Sequence, residues 1–272
     1  MSSSAPLADD VPPRLIRVGD ADLAYRRAGS GDPLVYFHGG GLTRRWLPLY
    51  GQLARHFDVT VPEHPGFGDS IRPRWFRTLD DLVLHEADGL AALGLASFHA
   101  VGHSIGGLVA GSLAAIYPDR VRSLTLITPA PLPLASPVDS VRVNFAALPA
   151  DFDMDALLFN DNQAAYPEFL NGDDEGDRIG GADDPFADPA AWDMWGVPGL
   201  YRRVARFHGP RQVLVPDEDR LFSSACFETW ARYLDGAPIV RISGGDHETG
   251  HLVIVQEPDQ IAASVAALAR QA

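Results

Sequence analysis

Short apolar runs alternate along the chain with longer stretches in which apolar residues recur at helical spacing. The short runs predict buried strands. They cover residues 34–37, 57–61, 98–101, 121–127, 212–215 and 239–242. Helical spacing predicts helices over 79–93 and 258–269, and another that starts soon after Gly102 and includes Leu108 and Ile116. Because strands that alternate with helices are typical of α/β proteins, we expect a mostly parallel, doubly wound sheet with helices on both faces.

Residues 131–208 break this alternation. The segment is punctuated by proline and contains 14 acidic residues against five arginines. It is also rich in aromatic residues, namely Phe145, Phe152, Phe159, Tyr166, Phe169, Phe186, Trp192, Trp195, Tyr201 and Phe207. We expect an acidic, aromatic-rich helical cap over a pocket, inserted between the two parts of a core formed by residues 1–130 and 209–272. The alternative is a solvated insertion whose aromatics seal only its own small core, and residues 171–187 are expected to be loop in either case.

The composition is that of a compact globular protein. The chain has 272 residues, of which 46% are hydrophobic and 21% charged, enough for one or two domains. All 22 basic residues are arginines. The lack of lysine excludes Schiff-base catalysis, pyridoxal phosphate anchoring and a P-loop phosphate site.

The net charge and the single cysteine limit the kinds of partner and metal site that the protein can have. A formal net charge of −14 would repel a nucleic acid backbone. Cys226 is the only cysteine, so an internal disulfide and a cysteine-rich metal site are excluded. Residues 1–13 lack the basic start and apolar run of a targeting signal, and no stretch approaches the ~18 uninterrupted apolar residues of a membrane helix. We therefore expect a cytoplasmic protein with neither nucleic acid nor a membrane as partner.

A G-x-S-x-G motif covers residues 102–106, between a predicted strand and a predicted helix. A serine on such a tight strand-to-helix turn projects its hydroxyl above the sheet edge, and the flanking glycines leave room for the crowded backbone. The start of the helix also presents free N–H groups to a developing negative charge. Ser104 is therefore the candidate nucleophile. The alternative is an ordinary glycine turn with an exposed serine.

A candidate acid and a candidate base follow Ser104 along the chain. Asp219 comes four residues after the strand predicted at 212–215, and His251 lies in a glycine-rich loop after the strand at 239–242. A serine hydroxyl needs an imidazole to accept its proton, and a carboxylate on the other ring nitrogen holds the imidazole in the required tautomer. The chain order is therefore Ser, Asp, His, which is the order that this type of sheet requires.

A second motif overlaps the candidate base. Residues 247–251 match H-E-x-x-H, which binds zinc when it lies on a helix. Glycines at 244, 245 and 250 disfavour a helix there, since each interior glycine costs roughly 1 kcal/mol. We therefore expect no metal site, and His247 remains the alternative base.

The other histidines are given structural interpretations. His103, next to the candidate nucleophile, is expected to pack and hydrogen-bond at the pocket wall. Four others are interpreted as ordinary surface or edge residues, namely His56, His85, His99 and His208.

These motifs together resemble the α/β-hydrolase fold superfamily, and within it the esterases, lactonases and carbon–carbon hydrolases. The resemblance runs from about residue 15 to residue 269. Residues 64–70 are similar to the structural Pro-Gly-x-Gly-x-Ser turn of that family, and Gly250-His251 followed by Glu257-Pro258 is similar to its C-terminal signature. The resemblance implies a helical cap after the sixth strand of the fold.

The resemblance also implies the oxyanion-binding groups. In that family a His-Gly turn after the third strand supplies one N–H, here that of Gly40, and the residue after the nucleophile supplies the other, here Ile105. One departure from the family pattern affects the acid. Pro216 stands where the family has the glycine of Gly-x-x-Asp, which leaves Asp217 as an alternative to Asp219.

The sequence thus predicts a serine-dependent hydrolase that cleaves an ester or lactone bond of a hydrophobic small organic molecule through an acyl-enzyme. No cofactor is implied, and the protein is expected to be a monomer or a homodimer. Three alternatives remain open: a carbon–carbon bond hydrolase of a diketone, a lyase or perhydrolase using the same residues, and a ligand receptor of the same fold that does not catalyse.

Overall fold

The computed structural model describes residues 11–76, 78–132, 142, 153–170 and 199–272. Within these residues eight strands form one sheet in the order β1-β2-β4-β3-β5-β6-β7-β8. The strands are Arg14–Val18 (β1), Ala21–Gly29 (β2), Asp32–Phe37 (β3), Phe57–Pro62 (β4), Phe98–His103 (β5), Val121–Ile127 (β6), Arg211–Val215 (β7) and Ile239–Arg241 (β8).

Helices cover both faces of this sheet. The α-helices of the described residues are Pro48–Leu53 (α1), Leu79–Ala92 (α2), Ile105–Ile116 (α3), Met154–Leu158 (α4), Pro167–Leu170 (α5), Leu200–Val204 (α6), Ser224–Tyr233 (α7), Val253–Gln256 (α8) and Pro258–Ala269 (α9). On one face α1 and α8 pack against α9, and on the other α3 packs against α2 and α6, and α6 against α7. None of the helices in the described part of the chain is long and apolar enough to cross a membrane.

The predicted fold class is confirmed. All six predicted strands are present and pair in parallel. The sequence pattern did not predict β1 and β2, of which β2 runs antiparallel to both its neighbours. Both strands lie toward one edge of the sheet, where burial on one side only gives no continuous apolar run. In addition, β2 carries Arg26, which is buried and forms an ion pair with Glu63.

The strand order predicts a crevice beyond the carboxyl ends of β3 and β5. The chain goes from β3 to β4 on one side of β3, and then crosses back to β5 on its other side. In open α/β sheets, ligands bind beyond the carboxyl ends of the strands at such a reversal. The turns that follow β3 and β5 are therefore neighbours, and they hold the glycine run 39–41 and Ser104.

The core is centred on β3, β5 and α3. Every residue of β5 is buried, and so are residues 106–115 of α3, which is apolar on all sides. Gly111 lets α3 approach α7 closely, since a Cβ there would lie 2.6 Å from the ring of Trp230. Trp230 is fully buried and its Nε1 donates to the carbonyl of Ala130 at 2.7 Å.

The predicted cap is only partly described. Its described residues form the short helices α4, α5 and α6. Phe159 and Phe207 are buried, and the Phe159 ring stacks on that of Tyr166 with 5.2 Å between centroids. The predicted loop at 171–187 and five of the predicted cap aromatics lie outside the described residues, and the latter are Phe145, Phe152, Phe186, Trp192 and Trp195.

Candidate active site

Ser104 occupies a sharp turn between β5 and α3. Its backbone has φ 54° and ψ −118°, a region that non-glycine residues adopt only where the surroundings hold them there. Neighbouring glycines make the turn possible. A Cβ on Gly102 would lie 2.2 Å from the carbonyl oxygen of Gly106, and a Cβ on Gly106 would lie 2.1 Å from that of Phe37. The predicted strand-turn-helix context of the G-x-S-x-G motif is therefore present.

The structure brings Ser104, His251 and Asp219 together. His251 Nε2 lies 3.0 Å from Ser104 Oγ, and His251 Nδ1 lies 2.8 Å from Asp219 Oδ2. The three residues are 7%, 3% and 5% exposed. Because a carboxylate only accepts hydrogen bonds, Nδ1 carries the proton, and Nε2 of the neutral ring is free to accept from the serine hydroxyl.

Asp219 is held by its own loop as well as by His251. Its Oδ1 accepts from the backbone N–H groups of Leu221 at 2.9 Å and Phe222 at 2.8 Å. The Phe222 ring meets the His251 ring edge to face, with 5.1 Å between centroids. These contacts compensate the burial of the carboxylate and fix the direction in which it faces the imidazole.

Asp217, the alternative acid, has other partners. Its carboxylate accepts from Ser243 Oγ at 2.6 Å and from the backbone N–H of Thr249 at 3.3 Å. Burial alone would raise the pKa of Asp217, but these hydrogen bonds lower it overall. Asp217 therefore ties the loop after β7 to the histidine loop, while Asp219 contacts His251.

Residues 247–251 are not helical, so His247 and His251 do not share a helix face. His247 points elsewhere: its Nδ1 lies 3.0 Å from Asp246 Oδ1, and its Nε2 lies 3.5 Å from Tyr166 Oη and 3.7 Å from Glu257 Oε1. The described residues contain no group of three or more histidine, cysteine or acidic side chains arranged to hold a metal. The helix that an H-E-x-x-H zinc site requires is thus absent from this stretch.

The glycine turn after β3 packs directly on the serine turn. A Cβ on Gly39 would lie 3.2 Å from the Cβ of Ser104 and 2.8 Å from His103 Nδ1. Gly40 lines a small cavity beside this contact, together with Leu42, Leu47, Tyr50, Leu252 and Ile254. The backbone N–H groups of Gly40 and Ile105, the two predicted oxyanion donors, have no hydrogen-bond partner among the described residues.

A buried network that the sequence did not predict holds the glycine turn. His38 Nδ1 donates to the carbonyl of Gly39 at 2.6 Å, and His38 Nε2 accepts from the backbone N–H of His64 at 2.8 Å. His64 Nε2 in turn donates to the carbonyl of His38 at 3.0 Å, and His64 Nδ1 lies 2.7 Å from Glu86 Oε1. The position of Glu86 at helical spacing from Leu82 and Leu90 is the sequence signal that it lies on a buried face.

Burial keeps this network uncharged. It lowers the pKa of His38 to about 3 and that of His64 to about 4, and it raises the pKa of Glu86 to about 8. Near neutral pH, the Glu86 carboxyl is therefore protonated and donates to His64 Nδ1. The turn that carries Gly40 is therefore held by hydrogen bonds between uncharged groups rather than by ion pairs.

His103 has the packing role predicted for it. Its Nε2 donates to the backbone carbonyl of His251 at 3.0 Å, and burial, with a smaller contribution from His251, lowers its pKa to about 3. The prediction of surface or edge positions is wrong for His85 and His99, since both are buried. His85 lies on the inner side of α2, and His99 lies in the central strand β5 with its Nδ1 2.8 Å from Ser123 Oγ.

Comparisons with known proteins identify the fold family of the chain. A family profile described as alpha/beta hydrolase fold matches residues 32–171. The chain is 38% identical over 110 residues to a protein of Azorhizobium caulinodans provisionally named carbamate hydrolase RutD, a stretch that covers 40% of this chain and 42% of the relative. It is 33% identical over 119 residues to 2-hydroxy-6-oxo-2,4-heptadienoate hydrolase of Pseudomonas putida, covering 42% of this chain and 43% of that protein. The matched stretches thus span less than half the length of these curated relatives.

Solved structures match over nearly the whole chain. The 2-hydroxy-6-oxo-6-phenylhexa-2,4-dienoate hydrolase of Rhodococcus sp. strain RHA1 superposes with a TM-score of 0.77 at 20% identity, covering 97% of this chain and 100% of that one. A thermophilic esterase of Thermogutta terrifontis superposes with a TM-score of 0.74 at 22% identity, covering 95% and 98%. At this identity the likeness concerns the fold. Because the family profile matches more than half of the chain, the chain belongs to the alpha/beta hydrolase fold family.

Proposed function

We propose that the protein is a serine hydrolase that cleaves an ester or lactone bond of a hydrophobic small organic molecule. The observation that carries the proposal is the position of His251, whose two ring nitrogens lie 3.0 Å from Ser104 Oγ and 2.8 Å from Asp219 Oδ2. An isolated serine hydroxyl keeps its proton at neutral pH. In this arrangement His251 can accept the proton, and the Asp219 carboxylate stabilises the imidazolium that forms.

In the proposed acylation step, Ser104 Oγ attacks the carbonyl carbon and its proton moves to His251 Nε2. The carbonyl oxygen becomes an oxyanion, to which the N–H groups of Gly40 and Ile105 donate. Each such donor is worth about 3 kcal/mol or more in this type of reaction. The carbon–oxygen bond to the leaving group then breaks, the leaving oxygen takes the proton from His251, and the acyl group stays on Ser104.

In the proposed deacylation step, water attacks the acyl carbon and gives a proton to His251 Nε2. The ester bond to Ser104 breaks, the serine oxygen takes that proton, and the acid product leaves. Asp219 keeps its charge throughout and stabilises the imidazolium each time it forms. In both steps His251 receives and returns the proton, while the backbone N–H groups only donate hydrogen bonds to the oxyanion.

The proposed preference for an apolar substrate rests on the aromatic residues of the predicted cap. Near the glycine turn, Leu42, Leu47, Leu252 and Ile254 line a water-sized cavity next to Gly40, together with Tyr50 and the rings of His38 and His103. Sites that bind organic molecules are usually lined by apolar and aromatic side chains with few polar groups. We propose that residues 131–208 form an acidic cap over this site, and that the negative charge of the cap disfavours small anions.

A carbon–carbon bond hydrolase is the second candidate function. It is favoured by the similarity to the 2-hydroxy-6-oxo-2,4-heptadienoate hydrolase of Pseudomonas putida, 33% identical over 119 residues. The glycine run at 39–41 also resembles that subgroup. The same three side chains would serve, so the substrate has to be decided by experiment.

The test is a substrate panel of short-chain nitrophenyl esters, lactones and vinylogous diketones, assayed with the wild type and with Ser104→Ala. The proposal predicts turnover of esters or lactones that Ser104→Ala abolishes, while Ser224→Ala, at an exposed helical position, stays at the wild-type rate. Turnover of diketones alone would replace the proposal by the second candidate. A folded protein that binds panel members without converting any would indicate a receptor.

A further inference from the structure

Asn160 joins the two loops that carry Asp219 and His251. Its side chain is 7% exposed. Its Nδ2 donates to the carbonyl oxygen of Glu218 at 2.8 Å and to that of Thr249 at 3.1 Å. Glu218 directly precedes Asp219, and Thr249 is two residues before His251. One amide group therefore links the backbone of the acid loop to the backbone of the histidine loop.

Residues just before Asn160 hold the other side of His251. The backbone N–H of Leu252 donates to the carbonyl of Leu158 at 3.1 Å. Gln256 accepts from the N–H of Gly250 at 2.7 Å and donates to the carbonyl of Phe159 at 3.4 Å. The segment 158–160 therefore contacts the chain on both sides of the imidazole.

Two backbone features show that this contact is close. A Cβ on Gly250 would lie 2.5 Å from the carbonyl oxygen of Leu158 and 2.9 Å from Asn160 Oδ1. Asn160 itself has φ 53°, in the left-handed region that asparagine tolerates better than most residues. The position thus requires a residue that accepts this backbone conformation and offers two hydrogens to two carbonyl oxygens, and asparagine meets both requirements.

We propose that Asn160 is a positioning residue for the proposed hydrolysis. It does not touch the reacting atoms. By fixing Glu218 and Thr249 relative to each other, it sets the distance between Asp219 and His251, and hence the direction of the imidazole toward Ser104. The inference rests on the proposed function for its kinetic consequence, but the geometry that it describes also has a readout independent of turnover.

Two substitutions distinguish the effect of the Asn160 side-chain donor from that of the left-handed backbone conformation at this position. Asn160→Asp has nearly the same shape but places carboxylate oxygens against two carbonyls and near Glu248, whose Oε2 lies 3.2 Å from Nδ2. Asn160→Gly removes the side chain and keeps the left-handed backbone accessible. Asn162→Asp is the matched control, because Asn162 lies in the same segment and its side chain does not cap the turn that follows it.

The proposal predicts that kcat falls about 10- to 100-fold in both Asn160 variants, with KM within about twofold of wild type, because a small misplacement of catalytic groups is enough for such a loss. Asn162→Asp keeps wild-type kcat. Thermal unfolding checks that each variant is folded at the assay temperature. Folded variants with wild-type kcat, or with a raised KM and unchanged kcat, would overturn the positioning role.

A proton NMR measurement provides the readout that does not depend on turnover. The Nδ1 proton of a histidine bonded to a buried carboxylate gives a resolved low-field resonance, which Asp219→Asn identifies by removing it. The inference predicts that both Asn160 variants shift or broaden this resonance and that Asn162→Asp leaves it in place. An unchanged resonance in the Asn160 variants would overturn the inference. A wild type that shows the resonance but converts no substrate would instead contradict the proposed function.

Discussion

Individual side chains around Ser104 differ in how their charges are compensated. Asp219 is buried, and its carboxylate accepts from His251 Nδ1 and from two backbone N–H groups. Asp217, two residues earlier, serves Ser243 and Thr249 instead. The two carboxylates of this loop therefore have different partners, because the loop backbone points their side chains in different directions.

Substitution of each carboxylate by its amide tests this division. In Asp219→Asn the amide can present an N–H donor to His251 Nδ1, where the carboxylate only accepts, and this favours the tautomer with the proton on His251 Nε2, so we expect kcat to fall by about four orders of magnitude. Asp217→Asn should keep kcat within a few fold and lower the free energy of unfolding by about 1 kcal/mol through weakened hydrogen bonds. Steady-state kinetics and urea unfolding measure both. The reverse pattern would make Asp217 the acid.

The two histidines of the H-E-x-x-H stretch allow a similar comparison. His251→Ala removes the base that lies 3.0 Å from Ser104 Oγ and should reduce kcat by at least about four orders of magnitude. Within the part of the chain that the structure describes, His247 has polar contacts with Asp246, Glu257 and Tyr166 and none with Ser104, so His247→Ala should retain most of the activity. Kinetics with a nitrophenyl ester distinguish them. Loss of turnover in His247→Ala alone would move the base to that residue.

Sequence order was enough to nominate Ser104, Asp219 and His251, because the motif and the strand order place them in neighbouring loops. It could not choose between Asp217 and Asp219, since the choice depends on which way each side chain turns within one loop. It also missed Asn160 and Glu86. Their partners lie 58 and 22 residues away along the chain, and although helical spacing places Glu86 on a buried face, no local pattern identifies the partner of either residue.

At the level of elements, the site depends on how closely β3, β5 and α3 approach one another. Gly102 and Gly106 are placed where any side chain would meet backbone of a neighbouring turn or strand. The helix start therefore stays against the end of β3, and the turn with Gly39 and Gly40 stays against Ser104. Close packing of elements, rather than a flexible loop, sets the serine position.

A single methyl group tests this packing. Gly106→Ala places a Cβ 2.1 Å from the carbonyl oxygen of Phe37 and 2.4 Å from that of His38, so α3 must move away from β3. We expect destabilisation of about 1–3 kcal/mol and a large loss of kcat. Gly51→Ala is the control, because its Cβ would meet nothing closer than 3.8 Å and alanine favours a helix. Thermal unfolding and kinetics compare the two, and equal behaviour would contradict the packing account.

The pattern of the sequence predicted elements unevenly. The central strands were found because burial on both faces makes them continuously apolar, and α9 was found with its observed bounds, Pro258–Ala269. The strands β1 and β2 were missed, since edge burial alternates and includes charged side chains. The position of Arg26 within β2 becomes understandable only with Glu63, 37 residues away, as its buried partner.

Across the whole molecule, buried titratable groups link stability to pH. Burial raises the pKa of Glu86 to about 8, against a usual 4.5, so between these pH values the folded protein keeps a proton that the unfolded chain has lost. The unfolding free energy therefore contains a contribution that decreases as pH rises through this window. The same burial keeps His38 and His64 neutral, which protects the turn carrying Gly40 from a change of charge.

Glu86→Gln isolates this contribution, since the glutamine amide can still donate to His64 Nδ1. The variant should gain stability relative to wild type as pH rises from about 5 to 8, by up to about 1.4 kcal/mol per pH unit. Urea unfolding at several pH values measures the difference. The exposed Glu228→Gln control should remain parallel to wild type. A difference between Glu86→Gln and wild type that does not change with pH would contradict a protonated Glu86.

The central claim is that His251 and Asp219 make Ser104 nucleophilic, and covalent labelling tests it most directly. A phosphonate ester probe followed by peptide mass spectrometry should place the adduct on Ser104 in the wild type. No adduct should form in Ser104→Ala, and labelling should be far slower in His251→Ala. A folded wild type that stays unlabelled, or that carries the adduct on another residue, would contradict the account.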